Sequence, residues 1–170
     1  MLRIALAAPL LLFSLTAPTQ ANFEDGLQAY YRMDFEGALA ALKPLAEADH
    51  VQAQYQLGIM FYRGEGVLQD HEAAFQWFQR AARNGDPDAQ FNLGLMYANG
   101  TGVAQDYLQA HIWFSLAARA YARGEREGTQ RRDWAIRDPR LAARNRDWAA
   151  AKLTSDQIAE ARRRIGSWQP

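Results

Sequence analysis

The chain has 170 residues, with 19 basic and 19 acidic side chains, three histidines and no cysteine. Without cysteine there is neither a disulfide framework nor a thiol nucleophile, and a formal net charge of zero argues against a general polyanion binder. Alanine occurs 32 times while valine, isoleucine and threonine together occur 14 times, a balance that favours closely packed helices over sheets.

The first residues read as an address. Arg3 precedes an apolar stretch from Ile4 to Leu15, and Thr19-Gln20-Ala21 offers small residues where a signal peptidase cuts. A membrane span needs about 20 apolar residues, and Ser14, Thr16, Thr19 and Gln20 arrive too soon for one. The expectation is a signal peptide over residues 1–21, cleaved after Ala21, and a mature chain in the periplasm or secreted beyond it. No lipidation cysteine and no later long apolar run is present, so neither a lipid anchor nor an integral span is expected.

Residues 22–48 carry Tyr30, Tyr31, Asp34, Phe35, Ala38, Leu39, Leu42, Leu45 and Ala46 at spacings that predict a helical hairpin. Beyond it the chain repeats itself at an offset of 36. Ala53, Gln54, Leu57, Gly58 and Met60 recur as Ala89, Gln90, Leu93, Gly94 and Met96. Gly64, Gly66, Val67, Gln69 and Asp70 recur as Gly100, Gly102, Val103, Gln105 and Asp106. Ala74, Trp77, Phe78, Ala81, Ala82 and Arg83 return as Ala110, Trp113, Phe114, Ala117, Ala118 and Arg119. Composition alone would supply roughly three such identities, so these sixteen mark a duplication.

Each copy reads as two antiparallel helices. The first helix is expected over residues 51–62 and again over 87–98, where Asp86 can cap the free amides and Pro87 suits the first turn. Gly58 lies beside the stripe of Ala53, Leu57 and Phe61. A glycine inside a helix costs about 1 kcal/mol relative to alanine, which points to close packing at that position. The paired loop glycines suit a tight connection with positive φ, Val67 and Val103 plug its underside, and Asp70 and Asp106 cap the second helix. The second helix, with Trp77 or Trp113 in its apolar face, should bury one broad side.

After Arg119 the period is lost. Residues 124–137 carry six charged side chains before Trp134, and a helix and a mobile basic loop both stay open for them. Asp138 and Pro139 should start a helix reaching about Lys152, and Thr154 with Gln157 resembles a capping box for a last helix to about Ile165. Leu141, Trp148, Leu153, Ile158, Ala161, Ile165 and Trp168 are spaced to cover the end of a repeat array.

These residues carry a family resemblance. The pattern Ala-x3-Leu-Gly, Gly-x-Gly-Val, Asp, Trp and paired Ala at this period resembles the Sel-one-like repeat (SLR), a relative of the tetratricopeptide repeat. The resemblance covers units at 51–85 and 86–119, preceded by the divergent hairpin, which lacks the Gly-x-Gly-Val loop, and followed by a basic C-terminal helical cap over 120–170. It implies an all-α solenoid of helical hairpins and a noncatalytic scaffold that presents a groove to a protein or peptide. Some secreted relatives are associated with β-lactam binding or hydrolysis and carry paired cysteines clamping each hairpin; this chain has none.

Chemistry-bearing arrangements are sparse. His71-Glu72 lacks the second histidine of a zinc helix, because Phe75 stands four residues on, and His50 stands alone beside Asp49. Ser115, Ser155 and Ser167 lie in no nucleophile elbow or Ser-x-x-Lys arrangement. Gly64-Glu65-Gly66 and Gly100-Thr101-Gly102 lack the lysine and the preceding strand of a phosphate loop. No catalytic residue, metal or cofactor is therefore expected.

If Ala53, Leu57 and Phe61 face inward, Gln52, Tyr55, Gln56, Ile59 and Arg63 face away, and the second copy presents Asp88, Phe91, Asn92, Leu95 and Asn99. This mixture of aromatic, aliphatic and amide groups suits peptide binding, with the alternative that Tyr55 and Phe91 belong partly to the core. Residues 22–118 sum to −7 and residues 119–170 to +6. The primary reading is a monomeric exported scaffold with a protein or peptide partner and no nucleic acid, although Trp134 and Trp148, each after Arg-Asp, could stack on bases. The alternatives are a β-lactam-binding or hydrolysing envelope enzyme, and anionic-surface binding through the basic end.

Overall fold

The computed structural model describes residues 20–124 and 139–170; the expected signal sequence before Gln20, and the segment with Trp134, lie outside the described residues. Eight helices are described: α1 (Gln20–Tyr31), α2 (Phe35–Glu47), α3 (Val51–Arg63), α4 (His71–Arg83), α5 (Pro87–Asn99), α6 (Tyr107–Arg123), α7 (Pro139–Ala150) and α8 (Ser155–Ser167). No strand occurs among the described residues.

Local chemistry fixes most of the boundaries. Asp34, Asp70, Asp86 and Asp106 each accept a backbone amide in the first turn of the following helix, at 2.8–3.0 Å. Asp is a preferred residue there because its carboxylate satisfies a donor that the helix cannot. At the start of α3 the same position is held by His50, whose Nδ1 accepts from the amide of Ala53 at 3.2 Å. α3, α5 and α6 close on Gly64, Gly100 and Gly124 in the left-handed region. Thr154 and Gln157 form the expected reciprocal capping box at the start of α8.

The helices pair in order, α1 with α2, α3 with α4 and α5 with α6, while α2 also meets α3 and α4 meets α5. Stacking hairpins in this way produces a solenoid, in which each unit lends its neighbour an apolar wall. The close approach expected at the helix glycines is present. A Cβ on Gly58 would stand 2.6 Å from the Phe78 ring, and one on Gly94 would stand 2.5 Å from the Phe114 ring. Loops interlock the units as well: Gly66, at φ +74°, lies against the Phe35 carbonyl, and Gly102, at φ +69°, lies against the carbonyl of His71. The loop of one unit thus sits on the start of the previous unit's second helix.

The main core runs from Phe23, through Leu42, Leu45, Leu57, Met60 and Phe78, to Leu93 and Met96. Trp77 and Trp113 pack against that core, half-buried. The C-terminal end departs from the repeat. α6 is 17 residues long where α4 is 13, because Tyr121 and Ala122 stand where the first unit has Gly85 and Asp86. Both α7 and α8 then pack on this lengthened helix. α7 contributes Ala142 and Ala149 beside Phe114 and Ala118. α8 contributes Ala161, with Ile165 and Trp168, beside Ile112 and Leu116. Trp148 is a correction to the expected cap, since it is 48% exposed and meets Tyr107 edge-on at 5.5 Å instead of covering the array.

Candidate functional site

The residues expected to face outward from α3 and α5 divide into three groups. Tyr55, Gln56, Ile59, Asp88 and Phe91 are buried, at 8% exposure or less. Gln52, Asn92 and Leu95 are half-buried, and Arg63 and Asn99 are exposed. The outward expectation is therefore corrected for Gln56, Ile59 and Asp88, while for Tyr55 and Phe91 the core alternative holds. Its error was to treat each first helix as having one buried side. α3 is buried without a break from Ala53 to Met60, because α4 of its own unit and α2 of the preceding hairpin both pack against it.

The contacts show what encloses these residues. Tyr55 packs on Phe78 at 5.7 Å between ring centroids, and Phe91 packs on Phe114 at 5.5 Å. Asp88 accepts a hydrogen bond from the Tyr121 hydroxyl at 2.6 Å. Arg63, though exposed, is engaged with the preceding hairpin: it donates to the Tyr30 hydroxyl at 3.1 Å and pairs with Glu65 at 3.3 Å. Tyr30 itself donates to Glu65 at 2.7 Å. Burial, followed by the Glu65 hydrogen bond, pushes the Tyr30 phenol well above its usual pKa.

What the fold does bring together is an apolar cavity of about 130 Å³ between α3 and α5. Ile59, Asn92 and Leu95, three of the expected residues, line it with Tyr62, Phe78, Met96 and Thr101. Phe78 comes from α4 and Thr101 from the loop after α5, so the walls belong to two successive units. A volume of this order takes one aliphatic or aromatic side chain, and Asn92, Tyr62 and Thr101 are the polar residues among those that line it. Tyr62 was missed because it lies at the last turn of α3; its 38% exposure makes it the most accessible aromatic there. Met96 and Phe78 repeat at 36 residues, as core positions do, and no local signal separates them from the core.

Ser115 donates to the His111 backbone carbonyl at 2.7 Å, and His111 Nδ1 lies 3.0 Å from the Arg146 carbonyl. Among the described residues no cluster of three or more His, Asp or Glu side chains is placed to hold a metal.

The Sel1 repeat family model matches residues 51–86 and 87–121, the two units whose interlocked loops and helix glycines are described above. The chain contains two Sel1 repeats. Proteins built from Sel1 repeats are generally noncatalytic scaffolds for protein interaction. A protective antigen present in uropathogenic Escherichia coli strains, displaying an SLR fold, superposes with a TM-score of 0.68 at 26% identity. That match covers 86% of this chain and 28% of the antigen. A Sel1 repeat protein from Oxalobacter formigenes superposes with a TM-score of 0.56 at 27% identity, over 82% of this chain and 59% of its own. This chain thus spans less than two thirds of either relative. No curated protein sequence matches it.

Proposed function

We propose that this protein is an exported, noncatalytic scaffold of the bacterial envelope that seats a side chain of a protein or peptide partner between α3 and α5. The observation that carries this reading is the cavity lined by Ile59, Tyr62, Asn92, Leu95 and Thr101, which is apolar and has polar residues among its lining. An anchor side chain entering it would lose its water, while its backbone would find the amide of Asn92 and the hydroxyls of Tyr62 and Thr101.

Export is supported by the first 21 residues, with Arg3, the apolar stretch to Leu15 and the small residues before Asn22. Cleavage after Ala21 would leave Phe23, which is 1% exposed and part of the core, within the mature protein. No described helix is long and apolar enough to cross a membrane.

The test is capture of partners by the mature protein from an envelope extract, compared between wild type and variants at accessible wall positions. Tyr62→Ala, Asn92→Arg and Leu95→Glu should each deplete the same captured protein while leaving the helical circular dichroism intact. An unchanged captured set with all three variants would remove the cavity from the binding surface. Recovery of the protein with its first 21 residues attached, in the cytoplasm, would remove export.

A further inference from the structure

Duplication supplies an internal reference for the outer side of α6. Glu72, Gln76, Arg80 and Arg83 of α4 are exposed, as a solvated helix face should be. At an offset of 36 the same positions hold Leu108, Ile112, Leu116 and Arg119. Ile112 and Leu116 are buried and Leu108 is half-buried, because α8 lies on them. The second copy has thus exchanged a polar stripe for an apolar one at helical spacing, and that stripe is a seat for a helix.

The seat also has a polar end. Arg119 donates from Nη1 to the Ile165 carbonyl at 3.4 Å. Ile165 lies in the last turn of α8, where carbonyls lack helical partners and a cation is favourable. α8 itself fills the seat sparsely. Among its residues only Ala161 is fully buried, while Ile165 and the following Trp168 pack beside it, half-buried. Nε of Arg119, and Nε1 of Trp113 in the same cluster, are buried with no hydrogen-bond partner. Buried donors without acceptors weigh against the docked arrangement. α8 meanwhile carries its own helix-forming devices, the Thr154–Gln157 capping box and the pairing of Glu160 with Arg163 and Arg164, and none of these needs α6.

We propose that α8 is a releasable occupant of this seat, and that the seat receives in its place an amphipathic helix of a partner protein. Ala161, Ile165 and Trp168 show the pattern such a helix needs, a small residue followed by apolar residues four and seven positions on. An acceptor side chain placed against Arg119 or Trp113 would satisfy a donor that α8 leaves unmet, which gives the incoming helix an advantage over the resident one. The seat lies apart from the cavity between α3 and α5 and stands whether or not that cavity binds a peptide.

The chain has no cysteine, so an introduced thiol reports on one place. Ile112→Cys puts it beneath α8, and Leu57→Cys puts it in the main core. In the mature protein under native conditions, a thiol reagent should label Ile112→Cys at least about tenfold faster than Leu57→Cys, because release of α8 is a local opening. Adding Ala161→Arg should raise the first rate further and leave the second unchanged. A fluorescent peptide of residues 153–170 is the probe for the vacated seat. Its binding should saturate, should tighten about tenfold when the protein carries Ala161→Arg, and should be lost with Leu116→Arg, which restores the residue of the first copy. Equal labelling rates, or no peptide binding to the Ala161→Arg protein, overturns the proposal. So does concentration-dependent dimerisation of the wild type that Ala161→Arg abolishes, since the seat would then serve a second copy of this chain.

Discussion

Tyr121 reaches back 33 residues to place its hydroxyl 2.6 Å from a carboxylate oxygen of Asp88, a side chain only 1% exposed. The two positions are unmatched in the first unit, where Gly85 and Gln52 stand in their places. A buried carboxylate needs donors, and this one receives a charge-assisted bond from the helix extension that distinguishes α6 from α4. Tyr121→Phe should therefore destabilise the protein by about 1–3 kcal/mol, since the acceptor is left buried. Urea unfolding of the wild type, both single variants and the Asp88→Ala/Tyr121→Phe pair would measure the coupling; a fully additive pair would show that the bond contributes nothing.

Gly58 and Gly94 make the second prediction. Alanine is ordinarily better than glycine inside a helix by about 1 kcal/mol. Here the added methyl would meet an aromatic ring at 2.6 Å in one unit and 2.5 Å in the other. Overpacking costs about 1–3 kcal/mol, so Gly58→Ala and Gly94→Ala should each lower the thermal midpoint instead of raising it. Shrinking the ring tests the cause, because Phe78→Leu should cost less in a Gly58→Ala background than in the wild type.

These glycines, with the capping aspartates, show which parts of the fold are legible in one sequence. Asp70, Asp86, Asp106 and Thr154 act on amides two or three residues away, so their roles follow from local order. Gly58 stood out because it broke helix propensity in both copies. Tyr55 and Phe91 stayed open between surface and core for the opposite reason: their burial depends on rings at Phe78 and Phe114, 23 residues away in each case and on another helix. The placement of α7 and α8 on α6 was likewise not periodic, and Ala142, Ala149 and Ala161, the buried contacts, have no pattern that tells one neighbouring helix from another. The cavity inherits this limit, since Ile59 and Leu95 could be found from spacing but Thr101 reaches it through a loop.

The third prediction concerns the junction between the divergent hairpin and the first Sel1 unit. Tyr30 on α1, with Arg63 at the end of α3 and Glu65 just after it, forms a set of hydrogen bonds at 2.7, 3.1 and 3.3 Å. Glu65→Ala would remove both the acceptor of the Tyr30 hydroxyl and the ion-pair partner of Arg63. The Glu65 side chain is only 23% exposed, so a loss of about 1–2 kcal/mol is expected. Hydrogen exchange should show faster opening of α1 and α2 than of α5 and α6. The second unit has Asn99 and Thr101 at these positions, so its own loop offers no equivalent lock.

His50 makes the junction sensitive to acid. Its Nδ1 accepts from the Ala53 amide, which requires that nitrogen to be bare and places the ring proton on Nε2. Phe23 packs against the imidazole at 4.6 Å between centroids, and burial holds its pKa below the ordinary 6.5. The unfolded chain therefore takes up the proton more readily than the folded one. Stability that is present above pH 6.5 is lost as the pH falls through the lower folded pKa. Protonation also turns the acceptor into a donor and places a cation at a helix N-terminus, where cations are unfavourable. Between pH 7.5 and pH 5 the urea midpoint should fall, with a loss near the 1 kcal/mol typical of an N-cap. His50→Asp copies the cap that Asp86 provides one unit later, at 2.8 Å from the Ala89 amide, and should flatten the dependence in that range. If His50→Asp keeps the wild-type slope, the acid sensitivity comes from another group.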